Sequence, residues 1–305
     1  MIDPAQAQDA PQTARPRLQR IQAVVNPASG SVGPGAADQL AALTAEHGYD
    51  LTVVELGHGD FETAVRGAVD AAPDLLLVLA GDGTARLAAE LCGPDGPLVA
   101  PLPGGTLNML PHAIYGVHPW REALAAALET GEAREVCGGR VNGHAFYVAA
   151  ILGAPALWAH AREAVRAGNL RQGWRRANFA LSRAFTGDLS YRLGGRAPRD
   201  AEAVTLINPL VSKVVEEDSG LEVAALDIRS ATEMFRLAFN GMVGDWRRDP
   251  GVTVDVARRG SVEASRPIPC ILDGEAQRMP RRVEFEFTPK AFRALAPPMA
   301  AAASL

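Results

Sequence analysis

The segment from Leu75 to Glu90 constrains the fold of this chain more than any other stretch. It opens with a continuous apolar run, Leu75 to Ala80, which is typical of a buried strand in a parallel sheet. The turn Gly81-Asp82-Gly83-Thr84 follows, and Thr84 is predicted to cap a helix through Ala85 to Leu91. The segment therefore predicts a strand, a glycine turn and a helix in direct succession.

A glycine turn at a helix N-terminus offers backbone N–H groups and a positive dipole end to a phosphate. The carboxylate of Asp82 would repel a phosphate, unless it orders the turn or holds a cation that bridges to the phosphate. For this segment taken alone, an ordinary strand-to-helix loop without a ligand is an equal alternative.

The first 130 residues alternate between predicted strands and helices, which favours a doubly wound α/β domain with a parallel sheet. The predicted strands are Ile21–Val25, Leu51–Leu56, Leu75–Ala80 and Leu98–Leu102. The predicted helices are Ala36–His47, Phe61–Ala72, Ala85–Leu91, a helix that begins near Asn108, and Pro119–Glu129. Loops rich in Gly, Ser, Thr, Asn and Asp follow three strands, at residues 26–35, 80–84 and 103–108. Because ligands of open α/β sheets bind at the carboxyl edge, these loops predict a ligand site there.

After residue 132 the pattern changes to short strands, which indicates an antiparallel β-rich domain, most simply a sandwich. The predicted strands are Glu135–Val141, Ala145–Ile151, Leu189–Leu193, Ala203–Ile207, Leu221–Leu226, Val252–Val256, Ser261–Ser265 and Val283–Phe287. Two predicted helical stretches, at about 154–185 and 229–240, interrupt them. We therefore divide the chain into a disordered tail (1–19), an α/β domain (20–131), a β-rich domain (132–297) and a frayed tail (298–305).

Composition excludes several classes of protein. The net charge of −5 gives no basic footprint for nucleic acid, and no apolar run is long enough to span a membrane. The N-terminus lacks the apolar core of a signal peptide, and three widely spaced cysteines, Cys92, Cys137 and Cys270, favour a reducing cytoplasm. The two lysines, Lys213 and Lys290, lie outside any glycine-rich loop, which excludes a Walker A site and a protein-kinase nucleotide site.

A second candidate site is Ile271-Leu272-Asp273-Gly274-Glu275, where two carboxylates flank a glycine after an apolar strand. Asp-Gly is a common hairpin dipeptide, so a simple turn is the favoured interpretation of this segment alone. In a catalytic role, one carboxylate would accept a proton from a substrate hydroxyl, and the other would position it or a metal ion.

Taken together, these segments resemble the diacylglycerol kinase catalytic superfamily, in particular its soluble bacterial lipid kinases, which are related to sphingosine kinases. The resemblance covers about residues 20 to 290 and rests on four signatures, which are Asn26-Pro27-Ala28-Ser29-Gly30, Ala80-Gly81-Asp82-Gly83-Thr84, Pro103-Gly104-Gly105-Thr106-Leu107-Asn108 and Leu272-Asp273-Gly274-Glu275. It implies an α/β nucleotide domain and a β-sandwich lipid domain with the active site between them.

The resemblance also implies roles for individual residues. Asp273 would be the general base, Glu275 would assist it, and Asp82 would act in catalysis near a Mg²⁺ ion. The residues expected to bind ATP are Asn26, Ser29, Gly30, Gly81, Asp82, Gly83, Thr84, Arg86, Gly105, Thr106 and Asn108. Asp218 is the candidate ligand of a second, structural magnesium, in a segment where Ser219 stands in place of the family's aspartate. Ala80 likewise stands where the family usually has glycine.

The expected function is therefore an ATP- and Mg²⁺-dependent lipid kinase that phosphorylates a diacylglycerol-like hydroxyl. The alternatives are a kinase of a sphingoid or other non-glycerolipid hydroxyl, and a catalytically weak, lipid-binding regulatory protein of the same fold. An arginine-rich stretch predicts peripheral contact with an anionic membrane, most simply at the inner face of the cytoplasmic membrane, and a solvated helix face is its alternative. Its arginines are Arg162, Arg166, Arg171, Arg175, Arg176 and Arg183. A homodimer is compatible with these features.

Overall fold

The computed structural model describes residues 16–57, 61–153, 189–216, 218–227 and 246–298. Its first part is a parallel sheet in the order β2-β1-β3-β4. The strands are β1 (Ile21–Val25), β2 (Leu51–Glu55), β3 (Leu75–Ala80) and β4 (Leu98–Pro103). The apolar run of β3 is buried along its whole length because strands pair with it on both sides. The predicted buried strand is thus confirmed.

Five helices accompany this sheet: α1 (Ala36–Glu46), α2 (Phe61–Asp70), α3 (Asp82–Cys92), α4 (Met109–Tyr115) and α5 (Trp120–Thr130). Each turns an apolar face toward the sheet, and α3, for example, buries Ala85, Ala88 and Ala89. Small side chains on this face let α3 pack closely against β3 and β4. The predicted doubly wound α/β arrangement is confirmed.

The second part consists of antiparallel strands in two layers, which confirms the predicted sandwich. Its strands are β5 (Glu132–Val141), β6 (His144–Phe146), β7 (Ala149–Gly153), β8 (Leu189–Leu193), β9 (Arg199–Ala201), β10 (Ala203–Ile207), β11 (Leu221–Leu226), β12 (Val252–Ala257), β13 (Arg259–Ala264), β14 (Ile268–Leu272), β15 (Glu275–Met279) and β16 (Arg282–Ala296). One layer is a six-stranded sheet in the order β12-β11-β10-β7-β14-β15. The other layer contains β16, β13, β8 and β9, and an apolar core fills the space between the two.

The strand β16 joins the two parts of the molecule. The sequence predicts a strand only over Val283–Phe287, but β16 continues past a bulge between Thr288 and Phe292. Its end pairs in parallel with β4 through Ala294 and Val99. The parallel sheet therefore continues into the second part as one ten-stranded sheet. The side chain of Phe292 lies in the core of the first part.

Several predictions from the sequence fall outside the described residues. These include the two helical stretches at about 154–185 and 229–240, the arginine-rich stretch, and most of both tails. The domain boundaries also stay a prediction. Within the described part, no helix is long and apolar enough to cross a bilayer. All three cysteines are buried, and burial raises the pKa of Cys92 and of Cys270 to about 12, which makes both thiols poor nucleophiles.

Candidate active site

The three polar loops of the parallel sheet meet at its carboxyl edge. Ser31 N–H donates to the carbonyl of Gly104 at 3.2 Å. A methyl group on Gly30 would lie 3.3 Å from Thr106 Oγ1, and one on Gly105 would lie 3.0 Å from the Cα of Gly81. A side chain at position 105 would therefore crowd the glycine turn, which shows how closely the third loop approaches it.

The first of these loops is ordered by its own polar groups. Asn26 Oδ1 accepts the N–H of Ala28 at 3.1 Å, and the carbonyl of Asn26 accepts the N–H of Ser29 at 3.0 Å. The N–H of Asn26 in turn donates to Leu79 in β3 at 2.9 Å. Ser29 Oγ lies 3.7 Å from where a methyl group on Gly81 would stand, so the first loop borders the glycine turn.

The helix after the glycine turn begins earlier than predicted. Its N-cap is Gly81, in extended conformation, and α3 starts at Asp82 rather than at Ala85. Thr84 lies inside the first turn and its N–H donates to the carbonyl of Gly81 at 3.1 Å, so the predicted Thr84 cap is wrong. No side chain caps this N-terminus. Its positive end is therefore available to an anion.

Asp82 links the glycine turn to the third loop. Its Oδ2 accepts the N–H of Asn108 at 2.9 Å, and its Oδ1 accepts the N–H of Met109 at 2.6 Å. The carboxylate thus caps the N-terminus of α4, which supports the interpretation that it orders the turn. Burial raises the pKa of Asp82, although the N–H groups of Met109, Asn108 and Asp82 itself, together with His112, act to lower it.

Asn108 sits in the left-handed region, at φ 52°. Its Oδ1 accepts the N–H of Gly105 at 2.7 Å, and its Nδ2 donates to the carbonyl of the same residue at 3.2 Å. An asparagine tolerates this backbone conformation better than most residues. Asn108 therefore shapes the loop that contains Thr106, because both polar atoms of its side chain are hydrogen-bonded to the backbone of Gly105 in that loop.

The segment Leu272–Glu275 forms the hairpin between β14 and β15, as the simpler interpretation of the sequence predicts. Asp273 and Gly274 both have positive φ, 46° and 87°, as a two-residue hairpin turn of the primed type requires. The hairpin lies against the nucleotide-side loops, because a methyl group on Gly274 would stand 2.5 Å from Leu107 Cδ1. The hairpin turn at Asp273 and Gly274 is therefore part of the candidate site.

Asp273 is buried, with 3% of its surface exposed. Its Oδ2 accepts the N–H of Tyr147 at 2.7 Å, and its Oδ1 accepts those of Val148 and Ala149 at 2.8 and 3.0 Å. A carboxylate has about four acceptor positions, so about one remains, on Oδ2. Burial raises the pKa of Asp273 to about 6, while the backbone N–H groups and Arg86 act to lower it.

Glu275 connects the hairpin to α3. Its Oε2 accepts a hydrogen bond from Arg86 Nη2 at 2.7 Å. A methyl group on Gly83 would overlap Glu275 Oε1, so the second glycine of the turn makes room for this carboxylate. The structure therefore places Glu275, Gly83 and Arg86 side by side.

Three further groups at this interface were not predicted from the sequence. Tyr147 is buried between the two parts of the molecule, and burial raises its pKa. Glu90, one turn after Arg86 on α3, pairs with Arg140 of β5 at 2.9 Å. In the sequence, the four-residue spacing of Arg86 and Glu90 predicts that both lie on one face of α3. It does not predict their partners, Glu275 and Arg140, which lie far along the chain.

The magnesium roles expected of Asp82 and Asp218 stay predictions. Within the described ranges, no group of three or more His, Cys, Asp or Glu side chains could hold a metal ion. Asp218 is exposed, and its backbone carbonyl accepts a hydrogen bond from Arg258 at 2.6 Å. The buried carboxylate of Glu222, nearby in sequence, is paired with Arg247 at 2.5 Å. A metal role for Asp218 stays a prediction.

Comparison with known proteins agrees with this geometry. Residues 20–141 match the model of the diacylglycerol kinase catalytic domain. No protein with a curated functional description matches the chain significantly.

Similar folds occur among solved structures. A crystal structure of a diacylglycerol kinase from Bacillus anthracis str. Sterne has 18% sequence identity and a TM-score of 0.68, over 93% of this chain and 99% of that one. A second crystal structure from the same organism, provisionally assigned as a diacylglycerol kinase, has the same identity and coverage and a TM-score of 0.72. At this identity the likeness concerns the fold.

Proposed function

We propose that this chain, whose residues 20–141 match the model of the diacylglycerol kinase catalytic domain, is an ATP-dependent lipid kinase. The group transferred is the γ-phosphoryl group of ATP, and the acceptor is the hydroxyl of a diacylglycerol-like lipid. One observation carries the proposal: Glu275 of the hairpin contacts Gly83 and Arg86 at the start of α3. This contact brings the carboxylate of Glu275, from the second part of the molecule, to the glycine turn of the first part, which we propose as the phosphate site.

The glycine turn suits the phosphates of a nucleotide. The N-terminus of α3 carries no side-chain cap, so its first backbone N–H groups are donors that a phosphate would accept. The carboxylate of Asp82 lies in this turn and would hold a Mg²⁺ ion together with the phosphates, since Mg²⁺ in kinases is usually bound through one or two carboxylates and the substrate phosphates. Bound there, the ion would neutralise phosphate charge.

We assign the proton transfer to Asp273. Since its pKa is about 6, the side chain is mainly ionised at neutral pH and close to the value that favours a general base. The remaining acceptor position on Oδ2 would receive the proton of the lipid hydroxyl. A base in this position contributes about 10²- to 10⁴-fold to the rate, while the surrounding burial keeps water away from the reacting oxygen.

A second candidate function is a lipid-binding regulatory protein with little turnover. The observation that favours it is the use of both central carboxylates as acceptors for backbone N–H groups, two at Asp82 and three at Asp273. Such bonds stabilise the fold whether or not the protein catalyses a reaction.

Incubation with radiolabelled ATP and Mg²⁺ tests the proposal directly. The acceptors are diacylglycerol, a sphingoid base and a soluble, NAD-like hydroxyl compound, each with and without protein. We expect label in diacylglycerol above all. Label chiefly in the sphingoid base or the soluble compound would mean that the protein is a kinase with that compound as its acceptor, in place of diacylglycerol. Lipid binding without label in any acceptor would refute the kinase and support the second candidate.

A further inference from the structure

Arg86 occupies the junction between the glycine turn and the hairpin. It lies one helical turn after Asp82 on α3, and its guanidinium reaches Glu275, 189 residues further along the chain, at 2.7 Å. The Arg86 side chain is 23% exposed, whereas that of Glu275 is 48% exposed. The guanidinium is therefore largely withdrawn from solvent, while its carboxylate partner lies at the rim.

The guanidinium of Arg86 uses only part of its donor capacity. Nη2 donates to Glu275, but Nη1 is buried and has no hydrogen-bond partner among the residues that the structure describes. A buried guanidinium N–H group without an acceptor is costly. This donor belongs to the helix that begins at the glycine turn, so a ligand bound at that turn would supply the missing acceptor.

The surroundings of Nη1 specify the chemistry of that acceptor. The guanidinium contacts Glu275, two residues after Asp273 in the same hairpin, and its charge opposes the rise that burial causes in the pKa of Asp273 and of Tyr147. The uncapped N-terminus of α3 lies on the same side, at Gly83. An oxyanion between a guanidinium and a helix N-terminus accepts hydrogen bonds from both. The oxygens of a phosphoryl group meet this description.

We propose that Arg86 is a catalytic residue that donates from Nη1 to the phosphoryl group during transfer, while Nη2 holds Glu275 in place. This inference rests on the proposed kinase function and goes beyond a general contribution of Arg86 to the phosphate site. In the reaction, the lipid oxygen forms a bond to the γ-phosphorus, and its proton passes to Asp273. The bond between the γ-phosphorus and the bridging oxygen breaks, and its electron pair leaves with ADP. Arg86 neither gains nor loses a proton.

Lysine in place of Arg86 separates this role from that of a simple ion pair. Arg86→Lys keeps the charge and a partner for Glu275, but a lysine cannot serve two acceptors with a planar fork. Loss of one preorganised donor to a developing negative charge lowers kcat by about 10²- to 10³-fold. Because the interaction strengthens in the transition state, KM for ATP should change by less than about threefold.

The experiment measures kcat and KM for wild type, Arg86→Lys, Arg86→Ala and Arg66→Lys. Arg66 is the matched control, since it forms an exposed ion pair with Glu62 on α2 at 2.8 Å. We expect full activity for Arg66→Lys, the stated loss of kcat for Arg86→Lys, and partial recovery of Arg86→Ala when millimolar guanidinium is added. Near-wild-type kcat for Arg86→Lys would overturn the inference. Thermal melting of each variant controls for folding.

A binding measurement gives a readout that does not depend on the lipid. Calorimetry compares ADP with ADP plus aluminium fluoride, which mimics the phosphoryl group in transfer. Wild type should bind the mixture more tightly than ADP, and Arg86→Lys should lose this difference while still binding ADP. An equal gain in affinity in both proteins would overturn the role of Arg86 but not the kinase proposal. Absence of any nucleotide binding by wild type would overturn the kinase proposal and this inference with it.

Discussion

Replacement of Asp273 by asparagine tests how its buried carboxylate is used. The amide oxygen of asparagine can take the position of Oδ1 and keep the N–H groups of Val148 and Ala149. The amide nitrogen then faces the N–H of Tyr147, so that one donor meets another. Against this loss, Asp273→Asn no longer requires the protein to bury a charge.

The balance of these two effects depends on pH. Asp273 has a pKa of about 6 in the folded protein, and 3.8 is the ordinary value. Between these values the folded state binds more protons than the unfolded state, so the free energy of unfolding decreases as the pH rises. The whole shift corresponds to about 3 kcal/mol, of which about 2 kcal/mol is lost between pH 4.5 and 7. Asparagine does not titrate, so Asp273→Asn lacks this dependence.

Urea denaturation at pH 4.5 and at pH 7 measures this difference. At pH 4.5 Asp273→Asn should be less stable than wild type by about 1 to 3 kcal/mol, because a buried N–H group loses its acceptor. At pH 7 the deficit should shrink by about 2 kcal/mol, because wild type alone has lost stability from ionisation. Other titrating groups are common to both proteins and cancel. Asp200→Asn, at an exposed position in β9, is the matched control. A stability difference that is the same at both pH values would refute the reasoning.

The same substitution reports on catalysis. If Asp273 is the base, turnover with the lipid should fall by about 10²- to 10⁴-fold, while ATP binding stays close to normal. A hairpin turn alone predicts no such loss, since Asn-Gly forms this turn as readily as Asp-Gly. Near-wild-type turnover in Asp273→Asn would therefore contradict the assigned role.

Three other substitutions test the candidate site and the predicted membrane contact, whose arginines lie outside the described residues. Asp82→Ala removes the acceptor for two N–H groups at the start of α4, so urea denaturation should show a loss of about 1 to 2 kcal/mol; an unchanged stability would contradict the cap. Gly83→Ala places a methyl group where Glu275 Oε1 lies, so the Glu275 side chain must move and turnover in the kinase assay should fall, whereas Gly67→Ala, at an open position of α2, should keep it; unchanged turnover in Gly83→Ala would contradict a role for the position of Glu275. Arg175→Glu combined with Arg176→Glu should weaken salt-sensitive sedimentation with anionic vesicles by about 1 kcal/mol per arginine; equal binding of wild type to neutral vesicles would exclude a charged docking surface.

The regular elements of the fold were largely predictable from local patterns. An apolar run such as Leu75–Ala80 must be buried on both faces, which identifies a central strand of a parallel sheet without knowledge of its neighbours. The alternation of strands and helices in the first 130 residues also predicted that polar loops follow the strand ends. It thereby predicted the region of the candidate site. The start of α3 was predicted three residues late, because Gly81 serves as an N-cap without any side-chain bond.

What the sequence alone determined about this protein is which segments are strands, which are helices and which loops carry polar groups. These properties depend on residues within one turn of a helix or a few positions of a strand. The tertiary structure alone decided that β16 continues the parallel sheet, that Asp82 caps a helix 27 residues away, and that Arg86 meets Glu275 across 189 residues. Such partners depend on the order in which strands join a sheet, and no local periodicity records that order.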